Sequence, residues 1–301
     1  MTDILEGKKI VIIGLGLIGG SIARGLSNKQ QNVELIGVGR NEVVLQQAQS
    51  DGVINRYSTE FKTACADADL IVIAVPSLTV ESILVELKAV VSEKTVITDA
   101  ASVKSEIIDA VIKTFGKMPT NFVPGHPIAG SEHSGYSASS AELYQNKKVI
   151  LTPLDDTDEH AINLVTALWL ALGAEVLTMP ASKHDAILAA TSHLPHLLAF
   201  ALVDTLSQQG ESEEIFRYAA GGFRDFTRIA SSDPQMWHDI FMANGEAIIK
   251  VLDVYMRDLD RIRQAVQDKN SIELKATFSR AKKSRDKFLS YFENGSDLSD
   301  G

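Results

Sequence analysis

Between a short apolar run, Lys9-Ile10-Val11-Ile12-Ile13, and a helix-forming stretch lies Gly14-Leu15-Gly16-Leu17-Ile18-Gly19. No other segment restricts the fold as much. A β-branched run ended by glycine reads as a strand buried on both faces. The first glycine permits a tight turn, the second lets a ligand approach the backbone, and the third lets the next helix pack close to the strand. That helix turns free N–H groups and its positive dipole end toward the turn, which suits a pyrophosphate. A strand–GxGxxG–helix unit therefore predicts a dinucleotide-binding fold, with Gly14, Leu15, Gly16, Leu17, Ile18 and Gly19 on the cofactor. The alternative is a glycine-rich turn without a ligand, and the flanking strand and helix weigh against it.

The alternation continues. Apolar runs at 33–39, 70–75, 95–98, 121–124, 148–152 and 175–179 read as strands, and 21–27, 45–50, 80–91, 104–114 and 161–172 as helices. Such alternation implies a parallel sheet with helices on both faces, and ligands then lie at the carboxyl ends of the strands. Val75 and Pro76 stand at one such end and join the predicted cofactor contacts. From Ser182 onward there is helical periodicity without a strand pattern. Ile240, Phe241, Ile248, Val251, Leu252, Tyr255, Leu259 and Ile262 recur at three- and four-residue steps. The expected architecture is an α/β Rossmann-type domain over residues 1–180, an all-α dimerisation and substrate domain over 181–293, and a polar tail over 294–301. A self-contained monomeric bundle is the alternative to a homodimer.

Charge and cysteine content narrow the function. A formal net charge of -10 disfavours a non-specific nucleic-acid binder. The single cysteine, Cys65, allows no intrachain disulfide, and no secretion signal precedes the first strand, so a reducing, cytoplasmic setting is expected. No uninterrupted apolar run reaches the length of a membrane span.

Several polar residues then ask for a role. The second predicted strand ends Gly39-Arg40-Asn41, with no acid at its tip to hold a ribose diol. Arg40 there favours the 2′-phosphate of NADP+ over NAD+, although stacking on adenine would suit either. His126, between Gly125 and Pro127 in a loop after the fifth predicted strand, is placed to take a proton from an alcohol as hydride leaves the same carbon. It could instead only tie down its loop. Ser102 reads as a helix N-cap or a group orienting a substrate hydroxyl, Asp99 as structural, and Lys104 as a solvated charge on a helix. In Ser192-His193-Leu194-Pro195-His196 the histidines would share a helical face, yet no third ligand completes a metal site. Arg224 and Arg228, behind Gly221-Gly222, can grip a carboxylate, or one can pair with Asp225.

The segments GLGLIGGS, DAASVK, GHPIAGSEHSG, SHLPH, GGFRDFTRIA and SDPQMW, in this order, make the chain similar to the prephenate/arogenate dehydrogenase family of tyrosine biosynthesis. The resemblance implies a dinucleotide domain followed by a helical dimerisation domain, and oxidative decarboxylation of a cyclohexadienol to a phenol with NAD+ or NADP+. It implies catalytic roles for His126 and Ser102, and substrate contacts for Ser192, His193, His196 and Arg228. Glu132, Asp225 and Trp237 would line or gate the pocket. Two other readings compete. One is a hydroxyacid dehydrogenase with a helical second domain, for which Lys183 is the available lysine. The other is a dinucleotide sensor without catalysis, which has no need of a proton acceptor.

Overall fold

A computed structural model describes residues 2–28, 32–131, 133–210 and 212–293. Glu132 and the 294–301 tail, both singled out from the sequence, lie outside the described residues. The chain forms two compact units, residues 1–248 and 249–301.

The first unit is built on a parallel sheet in the order β3-β2-β1-β4-β5-β6. Its strands are β1 (Lys9–Ile13), β2 (Glu34–Val38), β3 (Arg56–Ser58), β4 (Leu70–Ile73), β5 (Val96–Asp99) and β6 (Phe122–Val123). The helices between them are α1 (Leu17–Asn28), α2 (Glu42–Ser50), α3 (Phe61–Cys65), α4 (Val80–Lys88) and α5 (Ser105–Phe115). Side chains alternate across a strand, and both faces of β1 are covered. Ile10 and Ile12 join a core with Leu26, Leu168 and Trp169, whereas Val11 and Ile13 join one with Leu84, Ile107 and Phe122. Strand order reverses between β1 and β4, which opens the ligand crevice beside the glycine turn.

A second, smaller sheet, unforeseen in the sequence, follows. β7 (Gly125–Pro127) pairs antiparallel with β8 (Lys148–Leu151), which pairs parallel with β9 (Glu175–Thr178). Helix α6 (Glu159–Ala171) connects the last two strands. His126 thus sits on a strand, opposite Ile150, rather than in a loop. Pairing with β8 fixes its backbone along one edge, which a loop would not.

Helices α7 (Ala181–Leu188) and α8 (Leu194–Ser207) are joined by a π-helical turn over Ala189–His193. Pro195 lacks an N–H and crowds the preceding turn, and a widened turn accommodates both effects. Within the run Ala181–Ser207 an 18-residue window has a mean hydropathy of 1.7, so by length and composition alone this helix could cross a membrane. The run is not uninterrupted, since His184, Asp185 and His193 lie within it. In the fold those polar residues are buried and hydrogen-bonded.

Helices α9 (Ser212–Arg217), α10 (Gly221–Thr227) and α11 (Pro234–Ala243) complete the first unit. The continuous periodicity read from Trp237 to Val266 is broken at Asn244, where α12 (Gly245–Gln267) begins. The second unit comprises the rest of α12 and α13 (Ser271–Glu293). Ile249, Val254, Met256, Leu259, Ile272 and Phe278 within it are exposed.

Candidate active site

The glycine turn shows what each residue is for. Gly14 has φ +93°, and a Cβ there would lie 2.6 Å from Ala74 O. A Cβ on Gly19 would fall on the carbonyl of Gly14 and lie 3.0 Å from Ile12 Cγ2. These glycines are needed by the protein itself. Gly16 is different, because a Cβ there would meet nothing within 4 Å. Its neighbours Gly14 and Leu15 line a cleft of about 1220 Å³ together with Gly39, Arg40, Val75, Pro76 and Tyr136. Leu17 and Ile18 open α1 beside this turn. Backbone that tolerates a side chain for packing yet carries none is what a phosphate-binding turn requires, so the residues present fit a dinucleotide.

At the far end of the cleft Arg40 is exposed, and Asn41 caps α2 by accepting a hydrogen bond from Val44 N at 3.3 Å. Glu42 lines the same cleft and accepts hydrogen bonds from Gln46 Nε2 at 3.2 Å and Tyr57 Oη at 3.3 Å. The sequence reading looked for an acid at the strand tip and so passed over one on the first turn of the next helix.

The carboxyl ends of β5 and β7 hold the densest polar cluster. Asp99 is fully buried and accepts hydrogen bonds from Ala101 N at 2.9 Å, Gly125 N at 3.2 Å and Lys104 Nζ. Lys104 Nζ also donates to Gly125 O at 2.6 Å. The expectation of a solvated Lys104 is therefore wrong: the side chain is wholly buried. Its position at the mouth of α5 turns it inward, where Asp99 waits. Burial pulls the Lys104 ammonium below its ordinary pKa, and the Asp99 carboxylate opposes that shift. Ser102 is half-buried after β5 but does not cap α5. The cap comes from another helix: Asp185 Oδ1 and Oδ2 accept from Lys104 N at 2.9 Å and Ser105 N at 2.8 Å. A carboxylate at a helix N-terminus also meets the positive dipole end.

His126 is buried, and its Nδ1 lies 2.8 Å from His184 Nε2. His184 Nδ1 in turn lies 2.8 Å from Asp185 Oδ1. Burial, with the nearby His184, Lys104 and His193, holds the His126 pKa well below that of a free imidazole, against the pull of Asp185. Burial would raise the Asp185 pKa, but donors from His184, Ser105 and Lys104 bring it down to about 2. Neither His184 nor Asp185 stood out in the sequence, where Lys183-His184-Asp185 reads as an ordinary polar helix start.

Two of the predicted substrate residues, His193 and His196, pack against Trp237. His196 stacks on it at 3.7 Å between ring centroids, and His193 meets it edge-on at 6.0 Å. His193 Nδ1 lies 3.1 Å from Asn244 Nδ2, which also donates to Asp185 O at 3.0 Å. His196 Nδ1 donates to Ser192 O at 2.8 Å. Burial lowers the His193 pKa to about 4. It also lowers that of His196, where the positive charge of Arg228 acts in the same direction. Arg228 itself is exposed just after α10, whereas Arg224 lies 3.5 Å from Asp225 as an exposed pair. Buried Trp237 Nε1 has no hydrogen-bond partner among the described residues. Lys183 is exposed. Among the described residues no group of three or more His, Cys, Asp or Glu could hold a metal ion.

The nucleotide-binding domain of prephenate dehydrogenase matches residues 22–178, and the dimerization domain of prephenate dehydrogenase matches residues 180–280. The chain belongs to the prephenate dehydrogenase family. Cyclohexadienyl dehydrogenase of Zymomonas mobilis is 36% identical over 92% of this chain and 95% of its own length. Prephenate dehydrogenase from Aquifex aeolicus, solved in complex with hydroxyphenyl propionate and NAD+, is 34% identical. It superposes with a TM-score of 0.87 over 94% of this chain and 99% of that one. Synechocystis arogenate dehydrogenase is 26% identical, with a TM-score of 0.79 over 93% of this chain and 99% of its own. Family membership makes this chain a nicotinamide-dependent oxidoreductase.

Proposed function

We propose that this chain oxidatively decarboxylates prephenate, arogenate or both, and passes a hydride to NAD+ or NADP+. The observation that carries the reading is a buried, neutral imidazole, His126, at the ligand edge of a dinucleotide fold. When bound, the dinucleotide supplies the hydride acceptor. The chain's own residues position and deprotonate the substrate. His126 takes the proton of the C4 hydroxyl as that carbon becomes a carbonyl, which requires the imidazole to be neutral. The ring carboxylate departs as CO2 and the ring becomes aromatic, so the protein's main task is orientation. Ser102, half-buried after β5, is assigned to the same hydroxyl. Arg228 supplies local positive charge for a substrate carboxylate, against the overall -10 charge of the chain, and His196 lies within its field as a neutral imidazole. Ser192 and His193 are assigned to the same substrate, and Trp237 Nε1 is a further donor without a partner among the described residues.

Relatives named for prephenate, cyclohexadienyl and arogenate dehydrogenases support this substrate class. At the adenosine end, Arg40 favours NADP+, and Glu42 in the same cleft works against a 2′-phosphate. The dimerization-domain match and the exposed apolar residues of α12 and α13 support a homodimer.

The test is formation of reduced nicotinamide with each substrate and each cofactor, in the wild type and in His126→Asn. The variant should lose about 10²–10⁴-fold in kcat while still binding substrate. Near wild-type kcat would remove His126 as the base, and turnover of neither substrate would refute the proposed reaction.

A further inference from the structure

Proton bookkeeping along the buried chain His126–His184–Asp185 leads beyond the assignment of a base. Asp185 is a carboxylate, held by the backbone N–H groups of Lys104 and Ser105, so it can only accept. His184 Nδ1, 2.8 Å away, must therefore carry a hydrogen. With His184 neutral, its Nε2 is an acceptor. The proton between Nε2 and the Nδ1 of His126, 2.8 Å apart, then belongs to His126. That leaves the lone pair of His126 on Nε2, which has no hydrogen-bond partner among the described residues.

Charge around the cluster favours this arrangement and gives it a second use. Lys104 and Asp99 cancel each other in the interior. Asp185 remains as a buried carboxylate with no cation of its own, satisfied by N–H groups at the start of α5. The histidines facing it from β7, α7 and the π-helical turn are His126, His184 and His193, with His196 one turn further on. Positive charge is best accommodated on His184, against the Asp185 carboxylate. It is worse on His126, on which the charge of Lys104 acts.

We propose that His184 and Asp185 are positioning residues for His126: they fix its Nδ1–H tautomer and draw its Nδ1 proton onto His184 when the substrate hydroxyl is deprotonated. The balance is closed. The hydroxyl O–H bond breaks and His126 Nε2–H forms, while His126 Nδ1–H breaks and His184 Nε2–H forms. Asp185 stays ionised, as the orienting carboxylate of a Ser-His-Asp triad does. His126 is neutral before and after the step, in opposite tautomers, and the imidazolium sits beside its counter-ion. The substrate step rests on the proposed reaction; the tautomer does not.

The experiment has an arm that needs no turnover. Two-bond ¹H–¹⁵N spectra of imidazole-labelled full-length protein at neutral pH, assigned with His126→Gln and His184→Gln, should show His126 protonated at Nδ1 and bare at Nε2. A bare Nδ1 on His126 would overturn the proposal. Kinetics form the second arm. His184→Gln keeps an amide oxygen near the former Nε2 but cannot hold the proton, and His184→Asn keeps the bond to Asp185 without reaching His126. We expect kcat to fall about 10-fold in the first and about 100-fold in the second, with KM changed less than about threefold, since positioned hydrogen-bond partners of this kind are worth that much in a dry site. The acidic limb of kcat/KM should shift in His184→Gln, because the charge must then remain on His126. Equal losses in both variants with an unmoved acidic limb would show that His184 is only packing. Inactivity of the wild type on both substrates, with the expected tautomer intact, would sink the proposed reaction and leave the tautomer assignment standing.

Discussion

Gly16 and Gly19 lie three residues apart in one motif, yet the structure predicts opposite consequences for the same substitution. A methyl group on Gly16 meets open space, and its backbone φ is not in the left-handed region. Gly16→Ala should leave folding stability unchanged or raise it by about 0.4–1 kcal/mol, because alanine has less freedom to lose from the unfolded chain. The same methyl occupies the room in front of the turn that a pyrophosphate must enter. Forcing an extra methyl into a close contact costs about 1–3 kcal/mol, so cofactor Kd should rise roughly 10- to 100-fold. Gly19→Ala reverses the pattern. Its Cβ falls on Gly14 O and lies 3.1 Å from Ala74 Cβ, and neither the carbonyl nor β4's end can yield without separating α1 from β1. Stability should drop by at least about 1–3 kcal/mol. Urea unfolding measures the first quantity, and calorimetric titration with NAD+ and NADP+ measures the second. The reasoning fails if Gly16→Ala binds either cofactor as the wild type does, or if it unfolds like Gly19→Ala.

Three further outcomes follow from the site. Arg228→Ala should raise KM about 10- to 100-fold with a smaller effect on kcat, as expected for losing a charge-assisted hydrogen bond; an unchanged KM would take Arg228 off the substrate carboxylate. Arg40→Ala should lower the ratio of kcat/KM for NADP+ to that for NAD+ severalfold, and a constant ratio would show that Arg40 does not meet the 2′-phosphate. His193 is buried with a pKa near 4, below its unfolded value of 6.5, so the unfolded chain binds the proton more readily. The stability it permits is complete above pH 6.5 and is lost as pH falls toward 4. Between pH 7 and pH 5 this amounts to about 2 kcal/mol, which the difference between wild type and His193→Asn in urea midpoints should reveal.

Much of the frame was legible in the sequence because it is written in local periodicity. Residues 10–13 and Leu70–Ile73 are apolar throughout since both faces of those strands are covered, and each is followed by the turn chemistry of a ligand edge. His126, Ser102, His196 and Arg228 were also visible, as polar residues in unusual local company. Elements with weak patterns escaped: β3 is a short, half-exposed edge strand, and β7 is three residues around a histidine. The break at Asn244 escaped too, because α11 and α12 keep apolar residues in step across it.

What the sequence by itself determined is the class of protein: a parallel dinucleotide-binding sheet from its strand–helix alternation, and the place of the ligand from Gly14, Gly16 and Gly19. Periodicity reports which side of an element meets the core, and this is a property of neighbours along the chain. It cannot report which polar side chains are buried together, because a lysine or an aspartate in a helix's first turn has the same local signature whether water or a counter-ion receives it. Only tertiary packing placed Lys104 against Asp99, and only packing brought His184 and Asp185, 58 and 59 residues beyond His126, to the inner nitrogen of that imidazole. The desolvation that makes an unpaired charge intolerable in that interior also makes its pairing specific, and so the state of His126 was decided there.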